Sequence, residues 1–318
     1  MRIDATIVLA SCICLLSATG WGTGLPLGQT GSPSGAGPLP AQDHPREPYF
    51  GQTPPGVTPE PFAPGFISTP AYEFAGTFSP DEGEFFFTRR PDAKGAENRL
   101  YYTRQENGVW TPPRPASFGR DVMEFEPHIT PSGDRVYFSS KRAKPAGTTS
   151  RGDIWYSERT SSGWSEARYL DGPINDGTAM YISATRDGTL YFTGLYGRRF
   201  GIFRSRQVNG RFSEPEYLPE TINSIRPAHP FIAPDESFLL IDAQTSGPLK
   251  PELYVSFRRA DGTWTPARKL GPAINTTATE YAPSVSPDGK YLFFHRLDGV
   301  DGQIYWVDVR MIGKPESI

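Results

Sequence analysis

The chain has 318 residues, a net charge of −3, 37% apolar and 13% aromatic residues, and 33 each of glycine and proline. That length allows one large domain or two small ones, and the near-neutral balance gives no electrostatic reason to expect nucleic acid or an acidic membrane surface as partner. Both cysteines, Cys12 and Cys14, fall in an N-terminal apolar stretch, so no disulfide or cysteine-ligated metal is available to hold the remainder.

In chain order, MRIDATIVLASCICLLSATG (1–20) comes first. Arg2 precedes an apolar run from Ala5 to Ala18, and Ala18 and Gly20 supply small residues for a peptidase. This is the pattern of a secretory signal peptide, and the run is shorter than the roughly 20 residues that span a bilayer. Export to the periplasm or the extracellular space is therefore expected, with no membrane span. Leu9-Ala10-Ser11-Cys12 resembles a lipobox and leaves lipidation at Cys12 as the alternative. Residues 21–50 are rich in glycine, proline and serine without apolar periodicity, and read as a flexible linker; the folded domain is expected over 51–318.

That domain repeats itself. EFAGTFSPDEGEFFFTR (73–89), EFEPHITPSGDRVYFSS (124–140), MYISATRDGTLYFT (180–193), PAHPFIAPDESFLLIDA (227–243) and EYAPSVSPDGKYLFFHR (280–296) are variants of one hairpin, two apolar segments around a Pro-Asp-Gly-like turn. Each is followed by a third apolar segment: RLYYTRQ (99–105), DIWYSER (153–159), GIFRSRQ (201–207), ELYVSFR (252–258) and QIYWVDV (303–309). After the first four comes a Gly-Trp-like element containing Trp110, Trp164, Phe212 or Trp264, read as packing between repeats. The spacing of about 50 residues suits a blade of four short strands, which cannot bury both faces alone and must stack on neighbours.

The fifth repeat lacks its fourth strand, and an unpaired segment, PPGVTPEPFAPGF (54–66), stands at the other end of the domain. Joining the two completes a fifth blade and hides open strand edges. The expected fold is all-β: a five-bladed β-propeller of four-stranded antiparallel blades, closed by an N-terminal strand that completes the last blade.

Over roughly 54–310, Pro-Asp-Gly before an apolar strand, followed by an Ile-Tyr strand, resembles the TolB-type propeller repeat, a bacterial relative of WD repeats. The resemblance rests on turn and core residues, so it implies fold and an exported bacterial setting rather than activity. Arg186 stands where the other turns have proline, Ser132-Gly133 replaces Asp-Gly, and Glu236-Ser237 follows Asp235. TolB has six blades and a separate N-terminal domain; five repeats are counted here, so its role in the cell envelope is not carried over.

Loops entering the innermost strands, and loops joining second to third strands, share one face at the channel mouth. Aligning the repeats gives four columns there: Glu73, Glu124, Ala179, Pro227, Glu280; then Ala75, Glu126, Tyr181, His229, Ala282; then Thr77, His128, Ser183, Phe231, Ser284; and, ending the second strands, Thr88, Ser139, Thr193, Asp242, His295. Positions that vary while their neighbours repeat are candidates for a site, or else rim groups and satisfied hydrogen-bond partners. His128, His229 and His295 with Asp242 or Glu126 suit a metal by residue type, although no close His spacing supports one. Glu124, Glu126, Asp242 and Glu280 could supply the carboxylate pair of a glycosidase, without any matching catalytic motif.

The third reading is a binding cleft. Arg89, Arg90, Lys94, Lys141, Arg142, Lys144, Arg198 and Arg199 would stand over the glutamates beside Tyr72, Phe125, Tyr181 and Tyr281. No phosphate loop, dinucleotide fingerprint or nucleophile elbow appears, and no cofactor is expected. Asn275-Thr276-Thr277 matches a glycosylation sequon but lies in a repeated Ile-Asn word. The expected function is non-catalytic: an exported binding or scaffolding propeller that offers its channel mouth to a carbohydrate, a peptide or an envelope or extracellular protein. A carbohydrate-active hydrolase or lyase at the same mouth is the alternative.

Overall fold

Every Pro-Asp-Gly-like word closes a hairpin between two strands, because proline presets φ at the turn and the next positions accept positive φ. In the computed structural model, which describes residues 47–91, 95–145, 152–245, 250–299 and 301–314, these hairpins are the inner halves of five antiparallel sheets. The inner three strands of the blades are Tyr72–Phe78, Glu84–Arg90 and Arg99–Glu106; Glu124–Ile129, Arg135–Ser140 and Asp153–Thr160; Thr178–Ala184, Leu190–Tyr196 and Arg199–Ser205; Pro227–Ile232, Phe238–Ala243 and Glu252–Phe257; and Thr279–Val285, Tyr291–Asp298 and Asp301–Asp308. Innermost strands of successive blades touch, and the first touches the fifth, so the ring closes. The chain forms a five-bladed β-propeller. Residues 1–46, with the expected signal sequence, Cys12 and nearly all of the linker, lie outside the described residues, as does Lys94.

The core is divided among the interfaces between blades. Tyr137 and Ile154 of the second blade pack with Ile182 and Phe192 of the third, Tyr191 and Ile202 of the third with Ile241 and Tyr254 of the fourth, and Leu253 and Val255 of the fourth with Phe294 and Val307 of the fifth. Trp164 meets Phe86 of the first blade edge-on at 5.7 Å, and Trp264 joins the cluster between the third and fourth. The tryptophans thus lie between blades, where large flat side chains remove the most apolar surface from water.

The outermost strand is shorter than the sequence suggested. After the Gly-Trp hairpin the chain breaks and then pairs again for two residues: Arg114–Pro115, Arg168–Tyr169, Glu216–Tyr217 and Arg268–Lys269. A hydroxyl bridges each break. Thr103, Ser157, Ser205 and Ser256 donate to the carbonyls of Thr111, Ser165, Ser213 and Thr265 at 2.5–2.6 Å.

The fifth blade is completed by Glu60–Pro61, whose residues pair with Trp306 and Tyr305. Val57, which stands in 54–66 where the other outer segments have Trp or Phe, is exposed; Phe62 is the residue that becomes fully buried. The folded unit also begins before residue 51. Tyr49 and Phe50 are buried against Trp110, Phe78 and Trp306, so two residues expected in the linker belong to the core.

The repeated Ile-Asn words have a common task. Asn175, Asn223 and Asn275 each accept from one third-strand amide (Ile154, Ile202, Leu253) and donate to that residue's carbonyl and to another (Leu170, Leu218, Leu270), at 2.7–3.0 Å. The sequon asparagine is therefore a buried strand clamp. Asn223→Ala orphans the Ile202 amide and the Leu218 carbonyl, while the Ile202 carbonyl keeps the Leu218 amide, and is expected to cost at least about 2 kcal/mol, at about 1–3 kcal/mol per buried unsatisfied group. An unchanged urea midpoint would refute this. Among the described residues no helix is long and apolar enough to cross a membrane.

Candidate functional site

Each inner strand carries a bulge at one repeat position. Register shifts occur between Phe74 and Thr77, Phe125 and His128, Met180 and Ser183, Ala228 and Phe231, and Tyr281 and Ser284. The residues at the bulge, Ala75, Glu126, Tyr181, His229 and Ala282, all have φ between 45° and 60°. Left-handed backbone is strained for residues with a Cβ, and it is held here because neighbouring blades over-determine it. The second-strand column supplies part of that hold. Thr88, Thr193 and Asp242 accept from the amides of Glu126, His229 and Ala282 in the next blade, at 2.8, 2.8 and 3.2 Å.

The bulge brings four of the candidates together on the ring axis. His229 Nδ1–H donates to Asp242 Oδ1 at 2.7 Å, and Nε2 faces Glu126 Oε1 at 3.5 Å. Tyr181 stands edge-on to His229 at 5.0 Å and donates its hydroxyl to the Pro283 carbonyl. Ser139 Oγ donates to Glu126 Oε2. All but a few per cent of these side chains is buried. Burial pulls the His229 pKa down, but Asp242 and Glu126 outweigh it and push it up to about 10. His229 is thus an imidazolium gripped from both sides.

Above this group the channel is closed by rings. The hydroxyls of Tyr72 and Tyr281 share a hydrogen bond, and His295 lies 4.7 and 4.5 Å from their rings. His295 Nδ1–H donates to the Glu73 carbonyl at 2.7 Å, which leaves Nε2 as a buried lone pair without a partner among the described residues; burial lowers its pKa to about 3. Burial also pushes the Tyr181 and Tyr281 phenols well up. Arg90 covers Tyr72 at 4.3 Å, and Phe125 and Leu297 pack partly buried at the mouth.

The other candidates are elsewhere. Glu73, Glu124 and Glu280 are buried in ion pairs within their own blades, to Arg89 at 2.9 Å, Arg142 at 2.6 Å and Arg296 at 3.1 Å. The arginines also donate to the Ile67, Phe118 and Ile274 carbonyls at the loops entering the blades. Arg296 was not among the sequence candidates, although its offset from Glu280 equals that of Arg89 from Glu73. His128 lies further along the channel, half-buried, with Nε2 accepting from the Ala184 amide at 3.0 Å; burial lowers its pKa to about 4. Arg198 is exposed on a hairpin turn of the third blade, away from the axis. Lys144 pairs with Asp153 at 3.2 Å. Among the described residues no group of three His, Cys, Asp or Glu side chains is placed to hold a metal ion.

Comparison with known proteins adds no activity. No family model matches the chain, and no curated protein does. Solved structures with similar folds include a chain assigned as TolB from Agrobacterium tumefaciens (18% identity over 77% of this chain and 80% of that one, TM-score 0.49). They also include the catalytic domain of the GH62 α-L-arabinofuranosidase of Coprinopsis cinerea (10%, 80% and 97%, TM-score 0.49) and a gluconolactonase of Xanthomonas campestris (12%, 80% and 93%, TM-score 0.42). At such identities and TM-scores none of them assigns a substrate or partner here.

Proposed function

We propose that this chain is an exported, non-catalytic binding propeller whose entry-loop face, around Arg90, Phe125 and Leu297, docks a carbohydrate, a peptide or an envelope or extracellular protein. The observation that carries this reading is the closed axis. Tyr72, Tyr281 and Tyr181 fill the channel with their hydroxyls engaged, and the three mouth glutamates are neutralised by arginines inside the blades. A glycosidase needs two carboxylates flanking a bond in an open cleft. A filled, aromatic surface with a cationic edge suits docking from outside. The apolar run at residues 5–18 supports export.

A hydrolase or lyase is the second reading. It rests on Glu126 and Asp242, two carboxylates meeting at one imidazole on the axis. Thermal-shift screening against cello-, xylo- and chito-oligosaccharides, with chromatography for released sugars, separates the two. Ligand at 100 times its Kd raises stability by about 2.7 kcal/mol. Binding without product, lost in Arg90→Ala/Phe125→Ala, is the expected result. Sugar release that disappears in Glu126→Gln would establish the second reading instead.

A further inference from the structure

The ring has a second opening, on the face of the hairpin turns opposite the entry loops. A cavity of about 350 Å³ lies there on the axis, near the lower end of volumes that hold small ligands. Its rim is made by the turns themselves. Pro80, Pro131, Pro234 and Pro287 occupy one repeat position, and Arg186 takes that position in the third blade. Proline has no amide hydrogen to give. Arg186 has one, and donates it to the Pro234 carbonyl of the next blade at 2.8 Å, so its backbone is fixed at the rim.

The floor is set by another departure from the repeat. Thr77, His128 and Ser183 each accept from an amide of the following blade, and Ser284 donates to the Gly76 carbonyl. Phe231, in the same column, can do neither. Its ring instead joins Phe78, Phe238 and the prolines in an apolar lining.

The polar groups in this lining are unequally engaged. Asp288 accepts from Ser286 Oγ and the Lys290 amide and pairs with Lys290 Nζ; Asp235 accepts from the Ser237 amide. Arg186 is exposed and, among the described residues, its guanidinium forms no ion pair and no side-chain hydrogen bond, although Asp235 feels its charge. His128 uses Nε2 as an acceptor, so its proton is on Nδ1 and is available as a donor from the cavity wall. Arg186 and His128 Nδ1 are thus donors beside an apolar pocket, with the exposed Asp235 carboxylate, held through one oxygen by the Ser237 amide, at the same rim.

We propose that the turn-face cavity binds a small amphipathic carboxylate, with its carboxylate on Arg186, its flat apolar body between Phe231 and the rim prolines, and His128 Nδ1–H donating to a polar atom at the deep end. A guanidinium grips a carboxylate through two parallel hydrogen bonds, which an amine or alcohol cannot accept in the same way. This site is separate from the entry-loop face and stands or falls independently of the function proposed above.

Titration of the folded chain with 3-(4-hydroxyphenyl)propionate, 3-(4-hydroxyphenyl)propylammonium and 3-(4-hydroxyphenyl)propan-1-ol, followed by NMR of the histidine rings and backbone amides, tests it. Saturable carboxylate binding is expected, with shifts at His128, Ala184 and Ile232, at least ~10-fold tighter than either other probe. Arg186→Gln, an exposed change, should weaken the carboxylate ~10-fold and leave the alcohol unaltered. Failure of the carboxylate to saturate, equal or tighter binding of the ammonium, or an unchanged affinity in Arg186→Gln overturns the proposal.

Discussion

Phe62→Ala is expected to destabilise the fold by about 3–5 kcal/mol, the range for emptying a buried aromatic site. Typical domains have only about 5–15 kcal/mol in total. The effect falls on the seam that closes the ring. Phe62 is fully buried and lies within 6.0 Å of Phe78 and Phe85 of the first blade and of Phe293 and Trp306 of the fifth. Its amide donates to the Ile304 carbonyl at 2.8 Å, while the Gln52 side chain bonds the Pro61 carbonyl and the Ala63 amide. Removing residues 54–66 altogether should leave no soluble monomer with a cooperative transition, because the edge of Asp301–Asp308 would be open. Calorimetry and sedimentation check both. A truncated monomer with an unaltered melting temperature would mean that closure does not depend on this segment.

The axis should be almost as sensitive. Asp242→Ala leaves His229 facing only Glu126, and breaking a buried charged pair costs about 3–5 kcal/mol. A pH signature accompanies the loss. His229 has a folded pKa raised from 6.5 to about 10, so the stability it contributes is complete below 6.5 and is lost as pH rises toward 10. His128 and His295 have folded pKa values lowered to about 4 and 3, so each contribution is present above 6.5 and falls away as pH drops toward those values. Stability should therefore peak near neutrality and decline on both sides. Asp242→Ala should flatten the alkaline limb while leaving the acid limb in place. Imidazole NMR should find His229 protonated at pH 8 and the other two neutral at pH 5.5; a neutral His229 at pH 8 would overturn the assignment.

The ring was legible in the sequence because its determinants are local. Each apolar word, each turn and each tryptophan repeats at a fixed interval, and the missing outer strand at residues 280–310 matched an extra one before residue 67. The exact seam was less legible. Val57 resembled the aligned tryptophans, but Pro61 lacks an amide hydrogen and Phe62 carries the larger apolar surface, so the pairing settles at Glu60–Pro61. Tyr49 and Phe50 were hidden in a segment whose proline and glycine content suggests a tether.

The columns lining the mouth were also visible, but not which members would meet. Glu124 and Glu126 differ by two residues, and in a plain strand they would share a face. The bulge at Glu126 breaks that alternation, sending one carboxylate to Arg142 and the other to His229. Nothing in the sequence marks the bulge, because none of its five left-handed residues is glycine.

The ring's closing bonds also bear on how the protein is made. His295 reaches the Glu73 carbonyl across 222 positions, and Ser68 reaches that of Ile304 across 236. Neither bond can exist until residues 295 and 304 have left the ribosome. The first blade must wait, with the side of Phe62 that meets Phe293 and Trp306 uncovered, through synthesis of nearly everything else, and such distant pairings form slowly. Nascent chains stalled before residue 300 should therefore depend on holding chaperones far more than the released protein does.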